Sequence, residues 1–127
     1  MQKRIAMIGA VMAALATSVP ALAIVNPLVA PVVPLGGSSV RGNVTFFQLG
    51  SNVNVGLNLT GNSGTEAVDI RKGTCKDYAA SSTMPLGVAQ DTRLSNTKIE
   101  QLAGNVLLIH KTAQVTSPPV ACAEIKG

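Results

Sequence analysis

Cys75 and Cys122 are the only cysteines in this chain of 127 residues, and their placement constrains the fold more than any other feature. Cys75 ends the stretch Ala67-Val68-Asp69-Ile70-Arg71-Lys72-Gly73-Thr74-Cys75, which reads as a strand running into a turn that continues through Lys76-Asp77. Cys122 stands five residues from the C-terminus. In an exported chain, two such cysteines read as one disulfide that ties this strand to the last one. The closed loop of about 48 residues is worth roughly 4 kcal/mol in the chain-entropy account. The rival reading, two free thiols on a metal, needs further ligands, and the chain offers no third cysteine and one histidine.

Export itself is read from the N-terminus. Lys3 and Arg4 give a basic start, Ile5 to Ala16 is a short apolar run, and Thr17-Ser18-Val19-Pro20-Ala21-Leu22-Ala23 ends in A-x-A. Residues 1–23 are therefore expected to be a secretory signal, cut after Ala23. The alternative, an uncleaved anchor, fits poorly because about 12 apolar residues do not cross ~30 Å of hydrocarbon. The position after the cut is Ile24, not cysteine, so a lipid-anchored product is not expected. The remaining 104 residues suffice for one domain with a modest core. Without Lys3 and Arg4, eight basic residues face six acidic ones, a net +2. These charges are scattered and almost free of neighbouring aromatics, so no nucleic-acid partner is expected.

The mature chain opens on Ile24 to Pro34, apolar but with three prolines in eleven residues. That density argues against a helix or a central strand and favours an extended edge segment or arm. Residues 24–39 are accordingly read as a Pro-rich arm and a Gly36-Gly37-Ser38-Ser39 joint, followed by a domain at 40–127. Val40 to Leu49 is rich in β-formers, and Gly50-Ser51 makes a turn. Val53, Val55, Leu57 and Leu59 then alternate with Asn52, Asn54, Asn58 and Thr60, as in a strand with one wet face. In the opening stretch, Val68 and Ile70 point one way and Asp69 and Arg71 the other. After Cys75 no period is legible through Pro85 and Gly87. Thr92 to Leu102 reads as a strand entering one short helical turn, Val106 to His110 as a strand covered on both faces, and Val120 to Ile125 as the last strand. Short strands and turns every 8–12 residues predict an all-β sandwich or barrel.

Motifs for catalysis are scarce. Gly36-Gly37 lacks the lysine and helix of a phosphate loop, no G-x-S-x-G elbow accompanies the single histidine, and the six carboxylates form no close pair. Asn43-Val44-Thr45 and Asn58-Leu59-Thr60 match glycosylation sequons, triplets that also arise by chance.

The run Asn52 to Ile125 resembles the copper/zinc superoxide dismutases, especially their short bacterial forms. Those read L-x-G, then H-x-H-x-G-x-C, then A-G-x with an apolar run into V-H-K, and V-A-C-G-x-I at the end. The matching segments are Leu59-Thr60-Gly61, Val68 to Cys75, Leu102-Ala103-Gly104, Leu108-Ile109-His110-Lys111 and Val120-Ala121-Cys122-Ala123-Glu124-Ile125. The resemblance implies a Greek-key β-sandwich or barrel, a Cys75–Cys122 bond matching the family's disulfide, and a bacterial, periplasmic or secreted protein.

The departures bear on function. Where the resemblance implies the two copper ligands of H-x-H, the chain has Asp69 and Arg71, and a guanidinium has no lone pair for a metal. His110 alone matches a copper ligand. Residues 76–105 hold no histidine for a zinc loop, and Pro119 stands where the family's active-site arginine is expected. Superoxide dismutase activity is therefore not expected, and no cofactor is; the expected role is a non-catalytic binding or structural module. The alternative is a weak copper site on His110 and Asp69. Asp69 and Arg71 are expected either to pair, with His110 as a third member, or to stand as unrelated surface residues. As an exposed pair they would add ~0–1 kcal/mol, so Arg71→Ala would hardly change the melting temperature. Val106 and Leu108 extend that face as an apolar strip. Residues 24–34 are the expected cover for that strip, within the chain or from a second subunit, and the two together are the expected surface for self-association or a protein partner. No stable membrane span is expected after signal cleavage.

Overall fold

The computed structural model describes residues 25–126. The expected signal at 1–23, its cut after Ala23, and Ile24 lie outside the described residues. Within them, β1 (Leu28–Pro34), β2 (Arg41–Leu49) and β3 (Asn52–Thr60) are followed by β4 (Ala67–Lys72) and β5 (Met84–Val88). Then come β6 (Thr92–Leu94), the one-turn helix α1 (Ile99–Leu102), β7 (Asn105–His110) and β8 (Pro119–Glu124). The eight strands form one antiparallel, nearly closed sheet in the order β5-β4-β7-β8-β1-β2-β3-β6. The all-β, barrel-like class expected from the short alternating runs is what the chain adopts.

Inward residues supply the core because a strand sends alternate side chains to opposite faces. Leu28, Ala30 and Val32 of β1 meet Val44 and Phe46 of β2 and Val53 and Val55 of β3. Val68 and Ile70, Leu107 and Ile109, and Ala121 and Ala123 complete the wall from β4, β7 and β8. Ile99 and Leu102, the two buried residues of α1, plug one end. That plug is held by Gln48, whose Oε1 accepts from the Ile99 N–H at 2.8 Å while its Nε2 donates to the carbonyls of Gly50, Asn52 and Thr97.

Of the two forms expected for Ile24 to Pro34, an extended edge segment or an arm, the extended one is built: β1 lies in the sheet between β8 and β2. β1 has neighbours on both sides, but in succession: Leu28 to Val32 pair with β2, and only Val33 and Pro34 pair with β8. A proline removes one ladder donor, which is harmless on a side with no partner. Pro31 lies where only β2 pairs and Pro34 where only β8 pairs, so a Pro-rich strand bridges two sheet regions without breaking either.

β5 is the strand hidden by its own sequence. Pro85 and Gly87 read as breakers, yet the strand hangs on β4 with a register shift opposite Val68/Asp69, and Gly87 takes a positive φ of 85°. At an end of the strand order, such irregularity is tolerated because one side needs no ladder.

Candidate functional site

The disulfide builds the site. Cys75 and Cys122 are bonded across a separation of 47 residues, and this pins the segment after β4 over the outer face of β4, β7 and β8. The segment doubles back at Gly73, whose φ is 120° and where a Cβ would stand 2.2 Å from the Asp77 carbonyl oxygen. Only glycine fits that approach. Thr74 Oγ1 then accepts from the N–H groups of Lys76 and Asp77 and tightens the turn. Glu124 ties the loop further: its Oε2 accepts from the Cys75 N–H at 3.0 Å. That bond, with help from Lys126 and Lys76, holds its carboxyl below the usual range.

Beneath this cover Val106, Leu108 and Cys122 are fully buried against Leu35, Cys75 and Tyr78. The expected Val106/Leu108 docking strip is therefore not a free surface. The sequence shows the strip but not the loop folded across it. Leu35, immediately after the segment 24–34, supplies part of the cover.

On the same face, the β4–β7 register sets Asp69 opposite Leu108 and Arg71 opposite Val106, which brings His110 beside Asp69. Asp69 is 0 %, His110 1 % and Arg71 7 % exposed. Asp69 Oδ2 accepts from Arg71 Nε at 3.0 Å, and Asp69 Oδ1 lies 2.8 Å from His110 Nε2. Arg71 Nη1 donates to the carbonyls of Ala79 (3.2 Å) and Ala80 (3.0 Å), and Nη2 to that of Val115 (2.9 Å). His110 Nδ1 is 2.8 Å from the Ser117 carbonyl. A carbonyl can only accept, so Nδ1 is the donor of that bond.

The pair with His110 as third member is thus assembled, but the expectation of a weak exposed pair is overturned. Burial changes its energetics: removing one member leaves the others charged or polar away from water, at ~3–5 kcal/mol. Arg71→Ala is therefore expected to destabilise the fold, in contrast to the near-zero change expected of a surface pair. The register irregularities beside Asp69 in β4 and beside His110 in β7 flank this network, where bulges commonly re-aim side chains.

As a metal site the arrangement fits badly. Both His110 nitrogens are engaged, both Asp69 oxygens are engaged, and the third position is a guanidinium. Among the described residues no three His, Cys, Asp or Glu side chains cluster to hold an ion. Pro119, where the resemblance expects an arginine, lines a cleft of about 520 Å³ with Arg71, Tyr78, Ser82, His110 and Val115.

One structural carboxylate went unread in the sequence. Glu66 is buried just before β4; its oxygens accept from the N–H groups of Ser63 (2.7 Å) and Gly64 (2.9 Å) and from the Ser63 hydroxyl. Burial alone pushes its carboxyl up, but these hydrogen bonds together hold it below its ordinary 4.5. The spacing Ser63-x-x-Glu66 was the available signal.

Compared with known proteins, the sequence matches no family model, no curated protein and no solved structure.

Proposed function

We propose that this chain is an exported, catalytically degenerate Greek-key domain of the copper/zinc superoxide dismutase type, acting as a non-catalytic binding or structural module. The observation that carries the reading is the network at the two H-x-H positions. Where copper would need neutral nitrogen donors, Asp69 bonds both Arg71 and the site's histidine, and backbone carbonyls take most of the remaining donors. A copper ion on His110 and Asp69 would have to displace these bonds while lying close to a fixed positive charge.

Three observations support the Greek-key part. β1, β2 and β3 are consecutive antiparallel neighbours, β8 returns to lie beside β1, and the β3-to-β4 and β6-to-β7 connections cross between distant strands of the sheet. The disulfide supports an oxidising compartment such as the periplasm. Among the described residues, no helix is long and apolar enough to cross a membrane.

Copper titration of the metal-stripped protein tests the reading. Expected is no stoichiometric binding and no superoxide dismutation above that of the free ion. One copper per chain, lost in His110→Ala, would overturn it in favour of the metal-binding alternative.

A further inference from the structure

The bond that pins the cover over β4, β7 and β8 is not equally open at its two ends. Cys122 is fully buried on the outer face of β8. Cys75, bonded to it from the covering segment, is only half-buried. Both border a cleft of about 230 Å³ that Pro31, Val33, Glu124 and Lys126 complete. Exchange with an outside thiol begins when a thiolate reaches one of the two sulfurs. Cys122 offers no solvent-facing surface, so approach through this cleft ends at Cys75.

The cover is anchored in two separate places. From Thr74 to Asp77, apart from bonds within the turn, one hydrogen bond among the described residues reaches another part of the chain. It runs from the Cys75 N–H to Glu124 Oε2 at 3.0 Å. The register sets Cys122 beside Leu108 and Glu124 beside Val106, so both ties of this end lie next to the two buried apolar side chains. Ala79 and Ala80 are held by different groups. The Ala79 N–H donates to the Lys72 carbonyl at 2.8 Å, and the carbonyls of both alanines accept from Arg71 Nη1. Cutting the disulfide therefore leaves the Cys75 end on a single hydrogen bond and the far end still on Arg71.

We propose that Cys75 is a thiol-exchange site, and that its modification lifts the cover from Val106 and Leu108 while leaving Asp69, Arg71 and His110 in place. The reactant is a small thiol in its deprotonated form. Its thiolate attacks Cys75 Sγ and a new S–S bond forms there. The Cys75–Cys122 bond breaks, and its electron pair leaves on Cys122 Sγ. Cys122 then takes a proton from water, because apolar surroundings favour the neutral thiol. One disulfide is exchanged for another, so no further oxidant or reductant enters. Leu108 and Cys122 leave no open space beneath Cys75, so the added group is accommodated only by moving the segment outward.

The test uses the disulfide-bonded protein and reduced glutathione at mildly alkaline pH. Samples taken at early times are quenched with N-ethylmaleimide and mapped by peptide mass spectrometry. Glutathione is expected on Cys75 and maleimide on Cys122. Binding of an apolar dye should rise in proportion to the adduct, while the NMR signal of the Arg71 Nε–H keeps its position. Adducts divided equally between the two cysteines would place the exchange in the unfolded chain and overturn the assignment, as would glutathione mainly on Cys122. Absence of a Cys75 adduct at every glutathione concentration would do the same. Dye binding that does not follow the adduct, or loss of the Arg71 signal, would overturn the separate anchoring of the two ends.

Discussion

The outer face of β4, β7 and β8 and the outer face of β1 and β2 are written in much the same alternating β pattern, yet they end in different solvents. On the first, Asp69, Arg71, Val106, Leu108 and His110 are all buried. On the second, Val29 is 54 %, Val33 44 % and Phe47 39 % exposed. The difference lies outside the strands. The disulfide-pinned segment after β4 and the loop from Lys111 to Pro118 close over the first face, and nothing among the described residues closes over the second. Charged residues are therefore buried while valines and a phenylalanine face water, an inversion that hydropathy alone would not suggest. What a side chain contributes depends on its cover more than on its type.

The largest break in this comparison should come from Asp69→Ala. It leaves Arg71 and His110 without their shared acceptor in the buried face, and a loss of ~3–5 kcal/mol is expected in urea unfolding. Arg71→Ala should fall in the same range; a loss under 1 kcal/mol in both would mean that water reaches the network freely. Next comes the cover itself. Replacing both cysteines by serine should cost ~2–5 kcal/mol and expose Val106 and Leu108 to an apolar dye. Unchanged dye binding would show that the loop holds its place without the bond.

A smaller effect follows from Glu66, whose carboxyl is held below 4.5 in the folded chain. A depressed folded value means that its contribution is present above 4.5 and fades as pH falls through the folded value. Glu66→Gln should accordingly flatten the acid side of the stability profile below pH 4.5, leaving unchanged any pH dependence near neutrality. An acid limb as steep as in the parent would assign acid sensitivity elsewhere. The smallest effect belongs to the open face: Val29→Thr and Phe47→Ser should each stay within ~0.5 kcal/mol. A loss above 1 kcal/mol, or a concentration-dependent midpoint lost in either variant, would show that this face is covered in solution.

Much of the barrel was legible in the residues. Val53 and Val55 against Asn52 and Asn54 placed β3, and the unbroken run from Val106 marked a strand buried on both faces. Three elements escaped for identifiable reasons. β1 carries prolines that suit an arm, and only a change of partner along the strand makes room for them. β5 carries Pro85 and Gly87, tolerable where a strand ends the strand order. Glu66 acts through backbone N–H groups, and the Ser63-x-x-Glu66 spacing that signals them went unread.

The candidate site divides the same way. By itself the sequence determined the alternation that puts Asp69 and Arg71 on one face. The pair of cysteines in a chain with a signal-like start determined the expected Cys75–Cys122 bond. Both follow from local rules, the period of a strand and the chemistry of thiols. Only the tertiary structure decided that the pair is buried and that His110 completes it. The reason is physical: register between strands distant in sequence and the path of a covering loop fix dielectric and hydrogen-bond partners. Those, rather than residue identity, decide whether an aspartate and an arginine form a surface pair or a buried network.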